Sequence, residues 1–293
     1  MKFLSALIIT IFCCISLVGC DMPSVNSQNE LNTKTISGKI LFRDPMIEGG
    51  TESQGLVVLD PFTTKITPIG IFGENARFMG ATSKVLVGSV NKIEMFDIST
   101  KEAVEVYKID NPATKGGNIA YVDEKHFSIV EESRLLLVNI ENRTKTIITE
   151  DVGNGIHSWS GNGKTVYYST HPAGEKNKIC RLNIETNKKE VLFDGIAPRV
   201  SKDGNLLAYY TAGTNGKLIV KDLQSNQEWK YDGAPVKFCF SPDSRYIAVV
   251  EYWRGPWYFD GYTVKIWDYK ENKSQTVVPK YAQGQCFDID WAE

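Results

Sequence analysis

From residue 36 onward the chain alternates short apolar runs with polar turns, and no stretch carries apolar residues at helical spacing. One unit recurs. VVLDPFTTKITPI (Val57–Ile69), EMFDISTKEAVEV (Glu94–Val106) and LLVNIENRTKTII (Leu136–Ile148) share a form with CRLNIETNKKEVL (Cys180–Leu192), IVKDLQSNQEWKY (Ile219–Tyr231) and KIWDYKENKSQTV (Lys265–Val277). Each is a strand, an Asp or Asn, about four turn residues, and a second strand. The landmarks are Asp60, Asp97, Asn139, Asn183, Asp222 and Asp268, with a mean spacing of about 42 residues, the length of one four-stranded propeller blade. The landmark side chain is short enough to accept a backbone N–H two residues on, which starts the turn.

The first half of the unit recurs as well. Trp159-Ser160-Gly161-Asn162-Gly163 precedes TVYYST, Val200-Ser201-Lys202-Asp203-Gly204 precedes LLAYYT, and Phe240-Ser241-Pro242-Asp243-Ser244 precedes YIAVVE. An aromatic, then S-P-D-G or a variant, then a strand, then a strand ending in Asp resembles the repeat of TolB-type propellers, relatives of the WD-repeat propellers. The resemblance is clear from about Ile156 to Val278 and faint before it. It implies an all-β, six-bladed propeller with four antiparallel strands per blade, lettered A to D outward from the axis. The S-P-D-G turn is then the A–B connection and the Asx turn the C–D connection.

The expected propeller spans 36–293. Its first unit opens at ISGKILF, a B strand with no A strand before it, and the chain ends in QCFDIDWAE. Trp291 falls in the register of Trp159 and Phe240. The last segment is therefore predicted to be the missing A strand, pairing with Ile36–Phe42 and closing the ring without free sheet edges.

The N-terminus predicts a different fate. One basic residue, Lys2, precedes an apolar run too short and too near the end for a membrane span, which matches the core of a secretory signal. Leu17-Val18-Gly19-Cys20 looks like the lipobox of bacterial lipoproteins. The resemblance implies a signal at 1–19, lipidation (palmitate and related acyl chains) of Cys20, and a polar tether over 20–35. It places the domain on the outer side of the cytoplasmic membrane, facing the periplasm or the cell surface. Loss of Lys2 with the signal takes the formal charge from −2 to −3, with no basic stripe, so nucleic acid is not an expected partner. Cys180, Cys239 and Cys286 lack metal-ligand spacing and sit in apolar runs, which predicts inert buried thiols. Neither a metal nor a cofactor is expected.

Candidate chemistry is sparse. No G-x-S-x-G elbow is present. Among the histidines, His157 lies near the axis and His171 in a long blade 4 loop, so both are candidates for ligand contact, while His126 sits in a turn. Asp288 and Asp290 share one side of the closing strand and are expected to meet backbone groups or Arg199. The long B–C loops of blades 1, 4 and 6 point to the D–A/B–C face as the binding face. In the blade 6 loop Tyr252, Trp253, Arg254, Trp257, Tyr258 and Tyr262 cluster, residue types enriched at interface hot spots. The reading is a monomeric, lipid-tethered, non-catalytic module for an envelope protein or peptide. The alternative is a glycan, because flat rings stack on sugars and TolB-type propellers also occur in carbohydrate-active proteins.

Overall fold

The computed structural model describes residues 36–44, 55–110, 118–153, 155–213, 216–254, 260–282 and 288–293; the side chains of 44, 253, 254, 260 and 280–282 are not described. The proposed signal, Cys20 and the tether lie outside the described residues, as do Trp257, Tyr258 and Cys286.

Six four-stranded antiparallel sheets are arranged in chain order. Five are continuous in sequence. The sixth joins the two ends of the described chain, with Ile289–Ala292 as strand A beside Lys39–Asp44, Gly55–Leu59 and Ile66–Pro68. The closing register sets Trp291 opposite Ile40 and Asp290 opposite Leu41. Trp159 faces Val166 and Phe240 faces Ile247 in the same relation, so the predicted equivalence of the three aromatics holds.

The near-continuous apolar character of the B and C strands has a simple cause. Each sheet stands between two others, so both of its faces are buried. Period two sends Ile40 and Phe42 toward blade 6 and Leu41 toward blade 2; Val85 and Val87 face blade 1 while Leu86 faces blade 3. Six apolar clusters result, one at each junction between neighbouring blades. Each fully buried Val, Leu or Ile contributes about 1.5–3 kcal/mol to holding its junction together.

The turns follow the sequence pattern closely. Asp60, Asp97, Asn139 and Asp222 each accept two backbone N–H groups from the turn that follows, and Asn183 and Asp268 accept one each. Four residues beyond each landmark the backbone turns left-handed, at Thr64, Lys101, Arg143, Asn187, Asn226 and Asn272, with φ between 51° and 65°. In the A–B turns Ser160, Ser201 and Ser241 play one part. Each hydroxyl donates to Asn162, Asp203 or Asp243, at 2.7, 2.5 and 2.5 Å, and accepts the N–H of Thr165, Leu206 or Tyr246. Asp243 is thus a turn-setting residue with equivalents in two other blades.

Blade 6 departs from the uniform plan. Its strands B, C and D, Tyr246–Arg254, Asp260–Asp268 and Lys273–Ala282, run 9, 9 and 10 residues, against at most 7 elsewhere among the described strands. The B–C pairing continues outward through Tyr252 opposite Tyr262 to Arg254 opposite Asp260. This part of blade 6 forms a three-stranded arm whose B–C end lies on the D–A/B–C side.

Candidate functional site

The six A strands converge on the axis, and two consecutive positions of each define what lies there. The first position is Asp290, Arg77, Ala120, Ser158, Arg199 and Cys239; the second is Trp291, Phe78, Tyr121, Trp159, Val200 and Phe240. The second position is aromatic in five of the six blades and Val200 in the other. These side chains wedge between blades: Phe78 packs with Leu41 and Val85, and Trp159 with Val166 and Tyr168. Their edges wall an axial cavity of about 290 Å³ whose lining includes residues from all six A strands. Its mouth is made by Gly80, Gly161, Lys202, Pro242 and Glu293, residues at or beside the A–B turns. The cavity therefore opens on the A–B turn face, opposite the face that loop lengths favoured. Loop length reported protrusion, whereas the axial space is set by side-chain size on the A strands.

The first position supplies charge. Asp288 pairs with the Arg77 guanidinium, accepts the backbone N–H of Ala76 and Ile289 at 3.4 and 3.0 Å, and lies 3.6 Å from Arg199. Asp290 accepts the N–H of Phe78 at 2.8 Å. The expectation that the two carboxylates meet backbone and Arg199 thus holds, and Arg77 is the partner that sequence reading missed. Its signal was present, since Arg77-Phe78 occupies the same register as Arg199-Val200. Burial works against the Asp288 charge, but Arg77, Arg199 and Lys237 outweigh it and hold the carboxyl below its usual range. Burial pushes the Asp290 carboxyl up. Burial, then the neighbouring Arg77, lowers Arg199 to about 10, so both guanidiniums are charged at neutral pH. Burial also drives the Cys239 thiol far above its ordinary value, which keeps it protonated and inert.

His157 is 2% exposed and fixed at both ring nitrogens. Trp159 Nε1–H donates to Ser128 Oγ (2.7 Å), the Ser128 hydroxyl donates to His157 Nε2 (2.6 Å), and His157 Nδ1–H donates to the Gly155 carbonyl (3.1 Å). This chain sets the tautomer, and burial lowers the ring to about 3. His157 is accordingly a neutral structural strut between blades 3 and 4 rather than a ligand contact, because no ring nitrogen is left to offer. Tyr262 is likewise no surface ring. It is fully buried in the junction of blades 1 and 6, edge-on to Phe42 at 6.2 Å. Tyr252 is half-buried against the same cluster. Trp253 and Arg254 occupy strand positions opposite Gly261 and Asp260 at the end of the blade 6 arm.

His171 is exposed and bonded through Nδ1 to Asn177 Oδ1. It lines a broader groove of about 770 Å³ between blades 3 and 4 on the D–A/B–C face. Two lysines there are matched by carboxylates, Lys189 by Asp151 and Lys178 by Asp194. Cys180, at its base, is a buried thiol raised by burial. Among the described residues no group of His, Cys, Asp and Glu is placed to hold a metal ion.

Six antiparallel four-stranded blades, an S-P-D-G-like A–B turn and closure by a C-terminal A strand define a TolB-type β-propeller fold. Solved structures agree. The chain is similar to TolB from Acinetobacter baumannii, with a TM-score of 0.70 at 16% identity, over 88% of this chain and 67% of that one. It is similar to a protein designated TolB from Agrobacterium tumefaciens, with a TM-score of 0.61 at 12% identity, over 87% and 98% of the two chains. A more distant likeness is to the Swd1 β-propeller domain of Myceliophteria thermophila, with a TM-score of 0.53 at 13% identity, over 81% and 84%. No protein-family model matches the chain, and no curated protein does.

Proposed function

We propose that this protein is a lipid-tethered, non-catalytic scaffold of the bacterial cell envelope that binds a protein or peptide through the blade 6 arm. The observation that carries this reading is the asymmetry of the ring. Among the described residues the strands of the other five blades run 3 to 7 residues, while blade 6 extends three strands to 9 or 10. A hydrogen-bonded β-arm on a rigid ring is a low-entropy platform for contact residues. Trp253 and Arg254 stand on its strands, and the sequence continues through Trp257 and Tyr258, residue types that dominate interface energetics. The TolB-type fold is consistent with a protein-binding scaffold, and the Leu17–Cys20 lipobox supplies the tether.

The test uses the full chain in its native membrane. In-cell cross-linking followed by affinity purification should recover one discrete partner with wild type and lose it with Trp253→Ala plus Trp257→Ala. Equal recovery from both would remove the arm as the binding element. Cys20→Ser should shift the protein from the membrane to the soluble fraction; an unchanged distribution would refute the tether.

A further inference from the structure

The floor of the axial cavity holds two guanidiniums, Arg77 and Arg199, with the carboxylates of Asp288 and Asp290 beside them, and the two guanidiniums are not equally engaged. Asp288 is engaged by Arg77 and by two backbone N–H groups. Arg199, by contrast, makes one ionic contact, to Asp288 at 3.6 Å, and no hydrogen bond among the described residues. Its side chain is 16% exposed, and it lines the cavity. Beside it the Nε of Arg77, a residue 4% exposed, is buried without a hydrogen-bond partner. A guanidinium carries five N–H donors in a planar fork, and leaving them unmet in a protein interior is unfavourable. The walls above this floor are aromatic edges of Phe78, Tyr121, Trp159, Phe240 and Trp291.

We propose that this cavity is a carboxylate-binding site, in which Arg199 receives the carboxylate and the aromatic walls hold an apolar group attached to it. A volume of about 290 Å³ lies at the lower end of ligand pockets, so the occupant is fragment-sized. A guanidinium fork meets a carboxylate through two parallel N–H···O bonds, a geometry that lysine or a neutral donor does not reproduce. The carboxylate has two possible sources, the C-terminus of a polypeptide entering from the A–B turn face or a free organic acid. This site is on the opposite face from the blade 6 arm, so it stands or falls separately from the proposed scaffold role.

The probe is N-acetyl-L-phenylalanine, compared with its amide, titrated into the full chain in mild detergent and followed by tryptophan fluorescence from Trp159 and Trp291. The acid should bind and the amide should bind at least tenfold more weakly, the loss expected for charge-assisted hydrogen bonds. Arg199→Gln should weaken the acid by roughly ten- to a hundredfold and leave the amide unchanged. A longer peptide ending in phenylalanine then separates the sources: binding at least as tight as the fragment supports a chain end, and exclusion supports a free acid. Equal binding of acid and amide, no binding of the acid up to about 10 mM, or wild-type affinity in a folded Arg199→Gln would each overturn the proposal. The acid–amide comparison on wild type decides the matter even if the variant does not fold.

Discussion

The His157 strut makes a quantitative prediction about acid stability. In the folded protein the ring is neutral, lowered to about 3 by burial, whereas in the unfolded chain it titrates near 6.5. A folded-state value below the unfolded one means that the unfolded state binds the proton first. The stability this group contributes is therefore complete above about pH 6.5 and falls as pH drops toward 3. Between pH 7.5 and 5.0 the linkage integral gives a loss of about 2 kcal/mol, and the figure hardly changes if the folded value is about 4 instead. In a domain of this length that corresponds to roughly 4–8 °C in Tm. The comparison protein is His157→Gln, whose side-chain carbonyl can still accept from Ser128. It should be less stable at pH 7.5, by about 1–3 kcal/mol for the orphaned Gly155 carbonyl and imperfect packing. Urea unfolding of both proteins at the two pH values, read by tryptophan fluorescence, isolates the histidine, because the carboxylates common to both cancel in the difference. Wild type should lose about 2 kcal/mol more than His157→Gln. Equal losses would mean that the ring is already charged or solvated in the fold, and the strut would be refuted.

Other consequences are as direct. Thr64 is a β-branched residue in the left-handed region (φ 57°) at a turn position where three other blades carry Asn, so Thr64→Asn should stabilise by about 1 kcal/mol, seen as a rise in calorimetric Tm. An unchanged or lower Tm would show that the turn is not strained there. Asp288→Asn leaves the buried Arg77 without its counter-charge and should destabilise by about 3–5 kcal/mol in urea unfolding; a loss under about 1 kcal/mol would mean that solvent reaches the pair. Ser201→Ala removes the hydroxyl that caps both Asp203 and the Leu206 N–H. It should lower stability by about 1–3 kcal/mol at 25 °C while the same change at the solvent-exposed Ser99 has a smaller effect.

What the sequence revealed and what it hid divide along physical lines. The Asx turns were legible because their chemistry is local: a landmark side chain bonds the backbone two or three residues on, and the hydrophobic alternation either side reports strands directly. Closure was legible too, because Trp291 carries the same aromatic-before-turn signature as Trp159 and Phe240, and one blade lacked an A strand. The site was hidden because its contacts are long-range. Arg77 and Asp288 are 211 residues apart and meet only once the ring has closed. Ser128, which settles the role of His157, lies 29 residues away in another blade. Tyr262 misled for a related reason. It sits in an aromatic cluster that reads as a surface loop, but blade 6 prolongs its strands, so the position is in-sheet and faces Phe42 across the closing junction.

The buried charges on the axis raise the question of why the interior does not use apolar residues, which are often as stabilising as a buried ion pair. The closing strand suggests an answer. Ile289–Ala292 is 4 residues long, and a strand that short is weakly specified by backbone pairing alone. Asp288 and Asp290 alternate with Ile289 and Trp291 at period two, so a slip of one residue would present Ile289 to Arg77 and drive a carboxylate into the apolar junction beside Ile40. Both faults leave a buried charge unpaired, and each costs several kcal/mol. The Arg77–Asp288 pair and the bond from Phe78 N–H to Asp290 thus fix one register of closure and tie the last strand to blade 2 as well as to its own sheet. Arg199 takes no part that the register requires. It makes no hydrogen bond among the described residues and contacts Asp288 only at 3.6 Å, a carboxylate already engaged elsewhere. Arg77 is thus bound into the register of closure, and Arg199 is the guanidinium with donors to spare.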